Sequence, residues 1–399
     1  MSSPRSLTPA SNLRSPLRLL RIRWGLFAVF VLVCLGAGYR LAQSIWYQPV
    51  VPFRWALFSA LAYAYLLIGL WRNLPQNHRP DETEILPTFG WGNTLSLVRG
   101  VLMMALVGFL FQPRPGAGSL NDWRAWVPGL LYTLAALPDY VDGYFARITN
   151  HVTRLGEWLD MTLDSVGVLA ASFLAVQYGT IPWWYLPIGL ARYLFLAGIW
   201  FRTRRGLPVY EMPYSVRRRG FAALKMGFIF VILLPPFLPP GTHLAAAVFG
   251  IPFAVGFLWD WGYVSGMISA DAGNRFPNLK HFVLRWLPLV PRGVALTLIV
   301  PALTRHLQIP HLQWLASLEL AATILLALGI WPRTVAIGAV ILVGVNQVLA
   351  PLTIDQLMLI VAYISIIFLG TGAYSLWPFE ERLIYHRPGD RETAVNGAR

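Results

Sequence analysis

The sequence predicts an all-α polytopic membrane protein, and three observations carry that prediction. Of 399 residues, 56% are apolar or aromatic and only 13% are charged, whereas charged residues make up about a quarter of a soluble domain. The mean hydropathy is +0.55. Finally, about twelve stretches approach the roughly 20 apolar residues that one bilayer crossing needs. They fall near 24–42, 55–71, 93–112, 125–141, 157–178, 182–200, 221–238, 244–268, 286–304, 313–331, 334–350 and 355–376.

The first stretch follows Arg18, Arg21 and Arg23 as a signal peptide would. No small-x-small cleavage site comes after it, so it reads as a retained helix. The segment 72–90 carries Pro75, Pro80 and Pro87 with three acids and reads as an exposed connector. Gly179-Thr180-Ile181-Pro182 reads as the tight turn of a helical hairpin. Basic residues set the orientation. With the N-terminus in the cytoplasm, 23 of the 32 Lys and Arg fall on the cytoplasmic side and 5 on the other. Both termini are therefore expected in the cytoplasm. The net charge of +14 tracks the membrane sides, which excludes a soluble nucleic-acid-binding role. The single cysteine, Cys34, excludes an intramolecular disulfide and a cysteine-based zinc site.

Acids are scarce, at 18, yet five of them lie between Asp139 and Asp164. Asp139, Asp142 and Ala146 are spaced i, i+3, i+7 and share one helical face. Gly156, Asp160 and Asp164 are spaced i, i+4, i+8 and share another. A short loop between two antiparallel helices would bring four carboxylates together at the cytoplasmic surface. Four such groups cannot all stay ionised without a compensating cation, and in sequence only Arg147 and Arg154 are close. An all-oxygen set of aspartates suits Mg²⁺ or Mn²⁺. Two ions bridged by shared carboxylates match the arrangement used in phosphoryl displacement. The glycines leave room for a flat base or a phosphate against a helix backbone.

The run from Asp139 to Asp164 resembles the signature of the CDP-alcohol phosphotransferase family, D-x2-D-G-x2-A-R-x8-G-x3-D-x3-D, at all eight fixed positions. The stretch Gly92-Asn93-Thr94-Leu95-Ser96-Leu97-Val98-Arg99 is similar to the start of that family's first core helix. The resemblance implies a six-helix core over about 91–270, preceded by a two-helix extension and linker at 1–90. It implies that Asp139, Asp142, Asp160 and Asp164 hold two Mg²⁺ or Mn²⁺ ions around the diphosphate of a CDP-linked lipid donor. Asp164 would also take the proton of a hydroxyl acceptor. Gly143, Ala146, Arg147, Gly156 and Asn93 would bind the nucleotide. The implied reaction releases CMP in phospholipid biosynthesis, with the site facing the cytoplasm and with membrane lipids as neighbours. A homodimer is a further implication of the family.

Arg202, Arg217, Arg218 and Arg219 lie in one basic cytoplasmic loop, where they suit either positive-inside anchoring or a pocket for phosphate or acceptor. The region 271–399 holds four more spans and a tail. Its Leu328-Gly329-Ile330-Trp331-Pro332-Arg333 and Ala373-Tyr374-Ser375-Leu376 resemble a DoxX-type four-helix membrane module. Glu319 is an intramembrane acid there, a site candidate or a partner of Arg292 or Arg333. A transporter or ion pathway would also explain many helices and buried carboxylates, but not the glycines and alanine at fixed spacing.

Overall fold

The computed structural model describes residues 11–212, 216–268, 282, 285–349, 351–370 and 372–377. Thirteen α-helices run in order through those residues, with short 3-10 turns and no strands among them. The fold is all-α and polytopic. Seven of the helical segments described are long and apolar enough to cross a bilayer, and the chain is an integral membrane protein. Others that were expected to cross are apolar but shorter, such as Gln313–Leu328 and Ile354–Leu369. The described residues group into two compact units, one ending at Gln177 and one beginning at Tyr178.

The first unit holds α1 (Ser11–Ile45), α2 (Val50–Asn73), α3 (Gly90–Val107), α4 (Trp123–Ala136), α5 (Pro138–Ile148) and α6 (Arg154–Gln177). Helix α3 is its hub, packing against α2, α4, α5 and α6. In lipid, Leu gains little by leaving the solvent, so close approach and polar links hold helices together. Two glycines supply the approach between α3 and α6. A Cβ on Gly100 would stand 3.1 Å from a Leu163 methyl, and one on Gly167 would stand 2.5 Å from the Met103 sulfur. Leu155, Leu159 and Leu163 of α6 are fully buried at i, i+4, i+8, in one cluster with Leu66 and Leu70 of α2 and Leu97 and Met104 of α3. The N-terminal helices thus share a core with α3 and α6. Trp24 and Tyr63 fasten it by donating to Leu67 O at 2.9 Å and Val101 O at 3.1 Å.

The connector before α3 is not simply exposed. Its acids Asp81, Glu82 and Glu84 face out, but Leu74, Ile85 and Phe89 are buried. Asn77, fully buried, donates to both Leu86 O and Thr88 O at 2.8 Å and closes the segment into a loop. The prolines mark turns within a folded loop, because the buried Ile85 and Phe89 pin it to the core.

The stretch 125–141, expected as one span, is divided at Leu137. Asp122 caps α4 by accepting from the Arg124 N–H at 3.0 Å, and the Arg124 guanidinium holds its carboxyl below the usual carboxylate range. Pro138 then opens α5, since it lacks the N–H that would continue the α4 ladder.

The second unit holds α7 (Leu186–Arg204), α8 (Val216–Leu233), α9 (Gly241–Val264) and a closed four-helix bundle. The bundle is α10 (Leu289–Gln308), α11 (Gln313–Leu328), α12 (Pro332–Leu349) and α13 (Ile354–Leu369), each packed on its two neighbours in a ring. It docks through α13 on α9, with Phe249 and Phe368 rings 5.2 Å apart.

Candidate active site

Three helices of the first unit assemble the site, and the burial of α6 sets its register. Asp160 and Asp164 each follow a fully buried leucine, Leu159 and Leu163. One residue turns the helix by about 100°, so the aspartates lie beside the buried stripe rather than within it. Asp160 is half-exposed and Asp164 partly buried. On α5, Asp142 is buried and accepts a hydrogen bond from Ser96 Oγ of α3 at 2.8 Å. Helix α5 is short and outside the spanning segments. Burial there raises the Asp142 carboxyl above the usual carboxylate range, opposed by the Ser96 hydrogen bond and the Arg99 charge. Asp139 lies on the first turn of α5, one turn before Asp142; its side chain is outside the described residues.

Arg99 of α3 joins the three described carboxylates. Its side chain is 1% exposed. Its Nη1 donates to Asp160 Oδ1 at 3.2 Å and lies 3.8 Å from Asp142 Oδ2, while its Nη2 pairs with Asp164 Oδ1. This corrects the expectation that only Arg147 and Arg154 are near enough to compensate the acids. The cation comes from a helix some forty residues earlier, and Arg154 pairs with Glu157 instead, at 3.0 Å. The assembly differs as well. The acids meet because α5 and α6 each pack on α3, not by pairing mainly with each other.

The small residues of the motif have close neighbours. A Cβ on Gly92 would stand 2.9 Å from the Ala146 methyl and 3.0 Å from Asp142 O, so Gly92 and Ala146 let α5 lie against α3. A Cβ on Gly156 would stand 2.5 Å from Asn93 Oδ1. Asn93 is buried, and its amide donates to Thr153 Oγ1 at 2.9 Å and Asn77 Oδ1 at 3.3 Å. Thr153 Oγ1 in turn accepts from the Gly156 N–H at 3.0 Å and caps the start of α6. Asn93 therefore ties the connector, α3 and the α6 N-terminus at one point. Arg147 reaches back over Gly143, and its Nε is buried with no hydrogen-bond partner among the described residues.

In the second unit, Arg202 donates to Pro208 O at 2.9 Å and to Ser265 O at 2.9 Å, which fastens the segment after α7. Arg217, Arg218 and Arg219 are on the first turns of α8, and their side chains lie outside the described residues. Glu319 pairs with His306 of the preceding helix. Its Oε2 lies 2.8 Å from His306 Nδ1, both side chains being buried. Arg292 instead donates to Leu326 O and Ala327 O, at 2.5 and 2.6 Å, and so satisfies the C-terminal carbonyls of α11.

Asn77 and Thr153 escaped sequence reasoning as site residues, and Ser96 and Arg99 stood in the stretch likened to the first core helix without being paired to the aspartates. One signal was available for Arg99: a guanidinium inside a span must find an anionic partner.

The donor chemistry fits a hard divalent cation. Aspartate oxygens from α5 and α6 converge on one positive group and include no sulfur or nitrogen donor. Among the described residues, no three acidic, His or Cys side chains already form a metal-holding group; the side chain of Asp139 lies outside them.

Residues 90–258 match the family model described as CDP-alcohol phosphatidyltransferase. Among curated proteins, the chain is 36% identical over 116 residues to the CDP-diacylglycerol–glycerol-3-phosphate 3-phosphatidyltransferase of Bacillus subtilis (strain 168), covering 28% of this chain and 60% of that protein. The enzyme of the same name from Cereibacter sphaeroides is 33% identical over 27% of this chain and 47% of its own. A putative cardiolipin synthase of Mycobacterium bovis is 29% identical over 29% of this chain and 54% of its own. The chain thus spans about half the length of the curated relatives it matches. No solved structure matches it.

Proposed function

We propose that the chain, through its CDP-alcohol phosphatidyltransferase domain at 90–258, transfers a substituted phosphate from a CDP-linked lipid to a hydroxyl acceptor in phospholipid biosynthesis. CDP-diacylglycerol is the donor, and CMP is released. The convergence of Asp142, Asp160 and Asp164 on one cation carries this reading. The names of the relatives make glycerol 3-phosphate the first acceptor to test. The catalytic domain extends over about 91–270, and the DoxX-like bundle at 271–399 is an accessory module. The site faces the cytoplasm, with both termini on that side, as the 23-to-5 distribution of basic residues favours.

Asp142, Asp160 and Asp164, with Asp139, would hold two Mg²⁺ or Mn²⁺ ions. Bound there, such ions would supply positive charge to the donor diphosphate as it develops more negative charge. The acceptor oxygen attacks the phosphorus that bears the lipid, the bond from that phosphorus to the CMP oxygen breaks, and CMP leaves with the electron pair. Asp164 takes the hydroxyl proton as general base. The unpartnered Nε of Arg147 offers a donor to the nucleotide phosphate. Gly143, Ala146, Gly156 and Asn93 contribute to the cytidine pocket. Arg202, Arg217, Arg218 and Arg219 attract the anionic acceptor and headgroups. The catalytic unit is a homodimer.

The test is CMP release from CDP-diacylglycerol and glycerol 3-phosphate by the full chain in lipid nanodiscs. Turnover is expected with Mg²⁺ or Mn²⁺ and none with EDTA. Asp164→Asn should lose at least about a hundredfold, as removal of a general base does. Full turnover in EDTA would overturn the metal requirement, and full activity of Asp164→Asn would overturn the role of that carboxylate.

A further inference from the structure

We infer that Arg99 is a resident counter-cation of the carboxylate cluster, and that divalent ions bind by displacing its guanidinium. The inference rests on the metal reading of the site and adds a competitor to it. Among the described residues, three carboxylates meet the single Arg99 guanidinium, so acids outnumber that basic partner even with it in place. Without Arg99 the repulsion among the acids would push the helices apart. With it, α3, α5 and α6 stay assembled before any ion arrives.

Geometry makes the same group an obstacle. Arg99 meets Asp160 through Oδ1 and Asp164 through Oδ1, and it approaches Asp142 through Oδ2. A Mg²⁺ or Mn²⁺ ion needs carboxylate oxygens at about 2.0–2.2 Å around one centre. A guanidinium keeps its oxygens about 2.7–2.9 Å or more from each nitrogen. The two cations therefore call for different spacings of the same three carboxylates and compete for them. The charge balance points the same way. Two divalent ions neutralise the four aspartates of the motif, leaving a retained Arg99 as surplus charge in a buried position.

Competition and positioning predict opposite signs. If Arg99 merely orients the carboxylates for the metal, as groups behind metal ligands commonly do, its loss should weaken metal binding by about 10–100-fold. If it competes, its loss should tighten binding. The measurement is Mn²⁺ affinity, by electron paramagnetic resonance of free Mn²⁺, on the full chain in nanodiscs, with melting followed in EDTA and in Mn²⁺. Arg99→Met is expected to bind Mn²⁺ about tenfold tighter or more. It should melt well below wild type in EDTA and recover most of that difference in saturating Mn²⁺. Arg99→Lys should shift both readings the same way by less, because an ammonium keeps the charge but not the fork. If Arg99→Met does not accumulate, Arg99→Lys carries the affinity test alone. Unchanged or weaker Mn²⁺ binding in the folded variant overturns the inference and leaves the metal site standing. Absence of Mn²⁺ binding in wild type overturns the metal reading and this inference together.

Discussion

Two acid sites in this molecule differ in how many carboxylates meet each basic partner. In the first unit, Asp142, Asp160 and Asp164 face one Arg99, and Asp160 is 53% exposed on its side chain. In the four-helix bundle, Glu319 faces His306 one to one, with both side chains under a tenth exposed. Both satisfy the need of an intramembrane carboxylate for a partner. Among the described residues, only the first has more carboxylates than basic partners, with a partly open path to it. A closed one-to-one pair is complete as a structural link, whereas an under-compensated, accessible cluster has capacity for another cation. The surplus, rather than burial alone, distinguishes the candidate active site.

The largest expected effect separates the two directly. Asp160→Asn removes an acid from the cluster and should lower CMP release by at least about a hundredfold, comparable to the loss of a key electrostatic group. Glu319→Gln, assayed in parallel, should leave turnover within about threefold, a difference under ~1 kcal/mol. Equal losses in the two variants would break the comparison. Equal retention would remove the carboxylate cluster from the reaction.

A smaller effect tests how the cluster is built. Gly92→Ala puts a methyl 2.9 Å from the Ala146 Cβ and 3.0 Å from Asp142 O. Neither neighbour is the end of a flexible chain, so α5 must move off α3. Overpacking of this kind costs about 1–3 kcal/mol, and here it also shifts Asp142 from Ser96 and Arg99. Melting temperature and CMP release should both fall, and the combined variant Gly92→Ala with Ala146→Gly should recover part of each. Recovery of neither would mean that the α3–α5 approach does not position Asp142.

The legible part of this molecule was the part written in local spacing. Hydropathy marked the helical spans, and the i, i+4, i+8 row of Gly156, Asp160 and Asp164 was visible because it lies within one helix. What stayed hidden depends on rotation and docking. Arg99 reaches the acids because α3 is turned by its contacts with α2 and α6, including the approach of Gly100 to Leu163. Nothing in the eight residues from Gly92 to Arg99 encodes that rotation alone. The connector misled for a similar reason: prolines and acids advertise exposure, while burial of Ile85 and Phe89 depends on a surface supplied by other helices. Glu319 had two arginines as expected partners and took a histidine on the preceding helix. Arg292 in fact caps α11, and the Arg333 guanidinium lies against Gly370.

The smallest net effect is expected in the bundle pair, and it tests the structural half of the comparison. Glu319→Leu alone leaves His306 Nδ1 buried without its carboxylate, which should cost about 1–3 kcal/mol, the penalty for an unsatisfied buried polar group. His306→Leu alone strands the Glu319 carboxylate and should cost more, since a charge is dearer to bury than a neutral ring. The double variant removes both needs at once. Replacing a buried pair by apolar groups of similar size is often neutral or stabilising, so its stability should return to within about 1 kcal/mol of wild type. Unfolding in detergent measures all three. CMP release by the double variant should stay near wild type, because neither residue belongs to the carboxylate cluster that meets Arg99. A double variant that is as stable as wild type yet inactive would place Glu319 and His306 in the reaction and erase the distinction between the two clusters.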